Sequence, residues 1–293
     1  MTDGLAWDQR PTLNNPLLVA AFEGWNDAGN AASAAADWLV RQGGARRFAT
    51  IEPDEYIDYQ SRRPRLELVA GVARAIAWPA NECYAAQFGE RDVVVLRGVE
   101  PNIRWKSFCN AVMTVASETG CQMVVTLGAL LGDVPHTRRV RVTGSATEPS
   151  LIGELDLTRS RYEGPTGIVG VLHDACRVSG VRSASLWAPV PHYAAMPPNP
   201  PATRALLERF GVLAGLSLDL AGIDQLADHW RVQVDRALAE NDEVQTYITE
   251  LEARIDAEEA EERGAVAGEP GIPSGNTLVD EVERYLREQR GQS

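Results

Sequence analysis

The stretch PLLVAAFEGWNDAGNAASAAADWLV, residues 16–40, decides the fold. Its first seven residues are an uninterrupted apolar run, which predicts a buried strand over 16–22. The alanine-rich segment that follows predicts a helix over 30–42, which Asn26 or Asp27 can cap. A strand that leads through a short polar turn into a helix is typical of an α/β protein.

The same alternation continues along the chain as far as residue 215. Further strands are predicted over 45–52, 92–101, the start of 121–138, and 181–193. Pro189 and Pro191 are predicted to break the last of these strands. Further helices are predicted over 104–120, 167–180 and 201–215. Residues 66–78 predict a hairpin that turns near Gly71, and residues 139–166 mix short strand, turn and helix signals. The pattern predicts an α/β fold with a mainly parallel or mixed sheet and helices on both faces.

The C-terminal part has a different character, which predicts a helical extension. We expect an α/β domain over 1–218, a helical hairpin over 219–263, a flexible linker over 264–275, and a short helix with a tail over 276–293. Apolar residues recur at helical spacing from Leu220 onward, with a break near the sequence ENDE. The stretch GAVAGEPGIPSG is typical of a linker because it is rich in glycine and proline.

The charge of the chain argues against two classes of partner. The 293 residues carry a formal net charge of −13 at pH 7. Phosphate binding requires clustered lysine and arginine, so we expect no nucleic acid and no membrane partner. The N-terminus lacks the basic and apolar segments of a signal peptide, and no apolar run approaches the ~20 residues of a membrane span. We expect a cytoplasmic protein.

The four cysteines, Cys83, Cys109, Cys121 and Cys176, form no Cys-x-x-Cys pair and no Cys/His spacing of a zinc site. We interpret them as buried free thiols in a reducing compartment. The sequence also lacks a His-Glu-x-x-His helix. It therefore predicts no metal and no cofactor.

Three polar loops follow predicted strands and are candidates for a ligand or anion site. In an open α/β sheet, ligands bind at the carboxyl ends of the strands. The loops supply carboxylates, histidines and an arginine, which suit general acid/base chemistry or anion binding. The candidate residues are Glu23, Trp25, Asn26, Asp27, Asp133, His136, Arg138 and His192.

Each candidate also has a structural interpretation. Asn26 and Asp27 fit helix capping, and Asp133 and His136 can satisfy a buried loop. The stretch YEGPTG, residues 162–167, can hold an anion at a helix N-terminus, or it can be an ordinary turn before a helix. It is neither a Walker A loop nor a Gly-x-Gly-x-x-Gly loop, and the chain has no Gly-x-Ser-x-Gly elbow. The catalytic residues, if any, stay undetermined.

Three segments together resemble the actinobacterial branch of the PAC2 family, which is named after proteasome assembly chaperone 2. They are FEGWNDAGNAAS (22–33), LGALLGDVPHTRRVRVTGSAT (127–147), and the pair YEGPTGIVGVLHDAC and SLWAPVPHY (162–176 and 185–193). The resemblance covers roughly residues 14–260. It implies a three-layer α/β/α fold, similar to the phosphorylase/peptidyl-hydrolase type, and a homo-oligomer, with the trimer as one expected form.

The resemblance also implies protein partners. Eukaryotic and archaeal members bind proteasome subunits, some through a C-terminal tail of a hydrophobic residue, tyrosine and any residue. This chain departs from that pattern, since it ends in RGQS and its nearest match, Arg284-Tyr285-Leu286, is internal. We therefore expect a chaperone-like, protein-binding role linked to proteasome assembly, without docking through such a tail. The alternative is a small-molecule or nucleotide-binding enzyme of hydrolase, phosphorylase or ligase type, with its site at the carboxyl ends of the strands.

Overall fold

The computed structural model describes residues 4–69, 73–154, 158–159 and 163–267. The strands are β1 (Leu5–Trp7), β2 (Leu17–Glu23), β3 (Arg46–Ile51), β4 (Arg65–Val69), β5 (Ala73–Ala77), β6 (Asn81–Phe88), β7 (Arg91–Val99), β8 (Val124–Gly132), β9 (Thr143–Ala146), β10 (Thr158–Arg159) and β11 (Ser183–Pro191). The helices are α1 (Ala31–Gln42), α2 (Trp105–Glu118), α3 (Pro149–Glu154), α4 (Ile168–Val178), α5 (Pro200–Ala214), α6 (Ala221–Leu238) and α7 (Asp242–Ala267).

The main sheet is mixed, with the order β1-β3-β6-β7-β2-β8-β11-β9-β10 in the described part of the chain. Its centre is parallel, because β2 pairs in parallel with β7 and β8, and β11 pairs in parallel with β8. On one side, β6, β3 and β1 follow as antiparallel neighbours. Strands β4 and β5 form a separate antiparallel hairpin.

Strand β2 shows why the fold has three layers. Its odd residues Leu17, Val19 and Ala21 belong to the core cluster that includes α1 and α5. Its even residues Leu18, Ala20 and Phe22 belong to the cluster that includes α2 and α4. Successive side chains of a strand point to opposite faces, so an unbroken apolar run requires a helix layer on each side. The predicted α/β/α architecture with a mixed sheet is confirmed.

The predicted break of the strand over 181–193 is wrong. Strand β11 pairs with β8 without interruption from Ser183 to Pro191. Its other neighbour, β9, pairs only with residues 184–187. Pro189 and Pro191 therefore lie where one side of β11 has no ladder in the described chain, and a proline without its N–H is tolerated there.

The predicted hairpin over 66–78 is confirmed, since Arg65–Val69 pairs antiparallel with Ala73–Ala77. The predicted turn at Gly71 lies outside the described residues. Strands β1 and β6 were not predicted. Strand β6, NECYAAQF, alternates too weakly to stand out from a loop, and it is held by the strong apolar strand β7 beside it.

The chain divides into two compact units. The first spans Met1–Asn241 and contains the sheets and α1 to α6. The predicted domain boundary after residue 218 falls between α5 and α6, which an ion pair of 2.6 Å joins through Arg204 and Asp224. The second unit begins at Asp242, and its described part is α7.

The predicted C-terminal segments are described only at their start. Helix α7 continues to Ala267, so the first four residues of the predicted linker over 264–275 are helical. The rest of that linker, and the predicted helix and tail over 276–293, lie outside the described residues. In the part that the structure describes, no helix has the length and apolar character needed to cross a membrane.

Candidate functional site

The carboxyl ends of the central parallel strands form one edge of the sheet. Strand β2 ends at Glu23, β7 at Val99, β8 at Gly132 and β11 at Pro191. The three candidate loops start at the ends of β2, β8 and β11. The fold therefore places the predicted residues at the edge where ligands of α/β proteins bind.

Asp27 caps helix α1. Its Oδ1 accepts hydrogen bonds from the backbone N–H groups of Ala32, at 2.8 Å, and Ser33, at 3.2 Å. Burial raises the pKa of Asp27 above its ordinary value, and hydrogen bonds from Ser33 and Ala32 partly offset this effect. Its Oδ2 is buried without a hydrogen-bond partner among the described residues. The capping role considered for Asp27 is therefore present in the structure.

Asn26 is fully buried and contacts Glu100, which the sequence did not single out. Its Nδ2 donates a hydrogen bond to Oε1 of Glu100 at 2.7 Å. Its backbone oxygen accepts from the N–H of Ala129 at 2.8 Å, which ties the turn to β8. Glu23 ends β2 and Glu100 directly follows β7, so both lie at the carboxyl ends of neighbouring parallel strands.

The carboxylate of Glu100 lies at the N-terminus of α4. Its Oε1 accepts a hydrogen bond from the N–H of Ile168 at 2.9 Å, and its Oε2 accepts from the N–H of Trp25 at 3.3 Å. The anion position considered at the end of residues 162–167 is thus filled by a side chain of the protein itself. A Cβ at Gly167 would lie 2.5 Å from Oε1 of Glu100, so only glycine leaves room for this carboxylate.

The N-terminus of α5 is also capped by a side chain of the protein. Asn199 accepts a hydrogen bond from the N–H of Ala202 at 3.0 Å through its Oδ1. Its own N–H donates to the carbonyl of Gly29 at 2.9 Å, next to the start of α1. Gly29 has a φ of 59°, and a Cβ there would lie 2.7 Å from that of Asn199. Three helix N-termini at this edge, those of α1, α4 and α5, therefore hold side chains of the chain itself.

The side chains of Glu23 and Trp25 point away from Glu100 and the buried Asn26. The carboxylate of Glu23 forms an ion pair with Arg62, which also donates to the backbone oxygen of Glu23 at 3.4 Å. The side chain of Trp25 is 64% exposed. The turn after β2 thus has a buried half, Asn26 and Asp27, and an exposed half.

A polar cleft of about 550 Å³ opens beside Glu23. Its walls come from the loop around Arg62, from the β4–β5 hairpin, and from residues of α1, β6 and β7. Arg97 forms an ion pair with Asp37 at 2.6 Å in this cleft. Arg63, in contrast, forms no ion pair within the described part of the chain. The cleft therefore offers a cationic group to a small anion.

Asp133 and His192 come together at the exposed rim of the edge. Their Oδ1 and Nδ1 atoms are 3.3 Å apart, and the two side chains are 65% and 45% exposed. A pair so open to water contributes little to stability. Arg138 lies half-buried in the same loop as Asp133.

His136 is buried between two partners that lie far apart in the sequence. Its backbone N–H donates to the hydroxyl of Tyr193 at 2.8 Å, and its Nδ1 lies 2.9 Å from the same hydroxyl. Its Nε2 lies 2.9 Å from Oδ1 of Asp235, on α6. Because a carboxylate only accepts, a hydrogen bond to Asp235 requires a proton on Nε2. Trp230 packs edge-on against the imidazole at 6.3 Å.

The candidate residues thus form separate hydrogen-bonded groups in the described chain. Asn26 is bound to Glu100, Asp27 to α1, and His136 to Tyr193 and Asp235. Among the residues described, no cluster of three or more His, Cys, Asp or Glu side chains could hold a metal ion. The buried groups are suited to fixing the edge, while the cleft, Trp25, and the Asp133–His192 pair remain accessible.

A model of the PAC2 family matches residues 21–238. The chain is 47% identical to a PAC2 family protein from Streptomyces avermitilis, with a TM-score of 0.74 over 79% of this chain and 99% of that one. It is 42% identical to a proteasome-assembly chaperone homologue from Mycobacterium tuberculosis, with the same TM-score and coverage.

A more distant likeness concerns the fold alone. The Pyrococcus furiosus PbaB protein, an archaeal proteasome activator, is 17% identical, with a TM-score of 0.65 over 80% of this chain and 98% of that one. No curated protein matches the chain.

Proposed function

The chain belongs to the PAC2 family, and from this membership we propose that it is a self-associating, chaperone-like protein that binds subunits of the proteasome. One observation carries the proposal. The chain is 42% identical to a proteasome-assembly chaperone homologue and covers 99% of its length. The proposal includes a cytoplasmic location and a homo-oligomer, with the trimer as the expected form, and it includes no membrane or nucleic acid partner.

The chemistry of the sheet edge supports a binding protein more than an enzyme. The N-terminus of α4 is occupied by Glu100 and that of α5 by Asn199, so a ligand phosphate would have to displace a side chain of the protein at either helix. Enzymes of this fold type use open groups at this edge. Asp27 and His136, the residues best suited to proton transfer, are engaged in hydrogen bonds that stabilise the fold.

The exposed side chains of the same edge support a protein partner. Trp25 is 64% exposed, Leu131 55%, and Met196 83%. They lie near or after the carboxyl ends of β2, β8 and β11. Exposed aromatic, leucine and methionine side chains are typical of protein-binding surfaces.

The proposal is tested by affinity capture of the tagged protein, expressed at its native level, followed by mass spectrometry. We expect proteasome α subunits in stoichiometric amount. A Trp25→Ala/Leu131→Ala variant should lose them, whereas Val178→Ala should keep them, since Val178 is an equally exposed apolar residue at the opposite end of α4. Recovery of the tagged protein alone would overturn the proposal.

A second candidate function, the binding of a small anion, is favoured by the cleft beside Glu23. Calorimetric titration with small carboxylates and inorganic phosphate tests it. Binding should weaken in Arg63→Ala and persist in Arg46→Ala, since Arg46 is exposed on β3 and does not line the cleft. No heat of binding at millimolar concentration would exclude this function.

A further inference from the structure

The β4–β5 hairpin has two unlike faces. Arg65, Glu67 and Ala77 line the polar cleft. Leu66, Leu68 and Ile76 point to the other face, where they are 62%, 67% and 55% exposed. Leu66 and Ile76 are direct cross-strand neighbours, so their side chains form one apolar patch.

The outer edge of β4 has no strand partner within the described residues, because the hairpin forms a sheet of its own two strands. Each described side chain from Arg65 to Leu68 is exposed. A two-stranded hairpin with an apolar face is only marginally stable in water, and an open edge is a template for another strand. Arg65 and Glu67 form no ion pair within the described part of the chain.

We propose that β4 pairs antiparallel with β4 of a second copy of this chain, around a two-fold axis at Leu66. This contact specifies the self-association in the proposed function and rests on it. Arg65 of each copy then lies opposite Glu67 of the other, and Leu66 lies opposite Leu66. The contact is isologous, as expected for a two-fold interface.

The order of charges selects this register. A two-fold antiparallel pair must keep apolar side chains beside apolar ones, since a shift by one residue would place Leu66 beside a charged residue. The neighbouring register that centres on Arg65 would set two arginines opposite each other, and the one that centres on Glu67 would set two glutamates opposite each other. Like charges directly opposite destabilise a sheet. Of these registers, only the one centred on Leu66 places opposite charges across from each other and keeps the apolar side chains of both copies on one face.

Pairing of the two hairpins creates a four-stranded sheet with the order β5-β4-β4-β5. Leu66, Leu68 and Ile76 of both copies then share one face, whose centre is apolar and whose margin carries Arg74, the cross-strand neighbour of Leu68. Three or more strands with a shared apolar face are what a small sheet needs to be stable. The hairpin thus gains from a second copy what it lacks in the single chain.

Charge reversal tests the contact, with the mass of the assembly measured by light scattering after gel filtration. The contact joins copies in pairs, so Arg65→Glu or Glu67→Arg alone should halve the mass, whether the wild type is a dimer or two trimers joined. The double variant Arg65→Glu/Glu67→Arg should restore it. An equal mixture of the two single variants should also restore it, because each then supplies the charge that the other lacks.

The control is Arg74→Glu, which reverses a charge on β5 of the same hairpin and should leave the mass unchanged. Circular dichroism melting of each variant shows that the exposed substitutions leave the fold intact. A wild-type mass of one chain, an unchanged mass in the single variants, or a double variant that stays at half mass would overturn the proposed contact.

Capture of proteasome subunits by the same variants separates this contact from the proposed function. Halved mass with retained capture supports both. An unchanged mass with retained capture overturns the contact alone. Halved mass in the single variants, together with a wild type that captures no α subunit, supports the contact and overturns the chaperone function.

Discussion

The side-chain amide of Asn26 donates a hydrogen bond to the carboxylate of Glu100 at 2.7 Å, across 74 positions of sequence. The two residues follow neighbouring parallel strands, β2 and β7. The same carboxylate accepts from the N–H of Ile168, at the start of α4. Glu100 thus joins the ends of β2 and β7 to the N-terminus of α4. The packing of this edge of the sheet depends on these hydrogen bonds.

Replacement of Glu100 by alanine should destabilise the fold. The change leaves Nδ2 of the buried Asn26 and the N–H of Ile168 without their acceptor, and an unmade buried hydrogen bond costs about 1–3 kcal/mol. We expect a loss of about 2–3 kcal/mol in the free energy of unfolding, measured by urea denaturation. The control Glu90→Ala removes an exposed carboxylate and should change it by less than about 0.5 kcal/mol. Equal stability of the two variants would contradict the role of Glu100.

Replacement of Gly167 by alanine should also destabilise the fold. The new methyl group would overlap with the amide of Asn26 and press against Glu100. Overpacking of this kind costs about 1–3 kcal/mol, which thermal unfolding can measure. Gly222→Ala is the matched control, because nothing lies within 4 Å of a Cβ there and alanine favours the first turn of α6. The prediction fails if both variants melt at or above the wild-type temperature.

Asp27 gives the stability of the protein a specific pH dependence. Burial raises the pKa of its carboxyl above the ordinary value of 3.8. Between pH 3.8 and the raised pKa, the folded chain keeps a proton that the unfolded chain has released. The contribution of Asp27 to the free energy of unfolding therefore falls as the pH rises through this window, and it is constant above the raised pKa.

The variant Asp27→Asn separates this effect from helix capping, since asparagine also caps helices but does not titrate. We expect the difference in the free energy of unfolding, variant minus wild type, to increase as the pH rises from the ordinary value of 3.8, and then to level off above the raised pKa. Urea titrations at closely spaced pH values check this. A difference that is flat across the acid range would refute it.

The two partners of His136 should differ in their effect on stability. Tyr193→Phe removes the acceptor of a buried backbone N–H, which costs about 1–3 kcal/mol. Asp235→Ala removes a side chain that is 61% exposed, so water can replace it at Nε2, and the loss should be about 1 kcal/mol or less. Chemical denaturation of both variants tests the order. A larger loss of stability in Asp235→Ala than in Tyr193→Phe would contradict this order. It would show that the bond between Asp235 and the imidazole contributes more than the exposure of Asp235 indicates.

The sequence was sufficient to predict the layers of the fold and the edge that holds the candidate site. The apolar run 16–22 fits only a strand covered on both faces, and its two core clusters confirm this. Strand β6 could not be recognised, because its pairing with β7 and not its own pattern makes it a strand. The continuation of β11 through Pro189 and Pro191 depends on how short β9 is, which no local pattern records.

The partners of the candidate residues were harder to predict than their positions. Glu100 was within reach of sequence reasoning, since it lies near the end of the strand predicted over 92–101, at the same edge as Glu23. Asp235 was not, because it belongs to an amphipathic helix whose docking position no spacing indicates. Whether the candidate residues bind a ligand stays a prediction.

The bond between His136 and Asp235 also bears on how the chain folds during synthesis. The two residues are 99 positions apart, and every strand of the sheet precedes Asp235 in the chain. Domains generally fold as units, and α6 belongs to the same compact unit as the sheet. That unit therefore cannot be completed until residue 235 has left the ribosome. On a ribosome stalled before residue 235, the imidazole of His136 would lack its carboxylate partner, and the loop after β8 would lack its contact with α6.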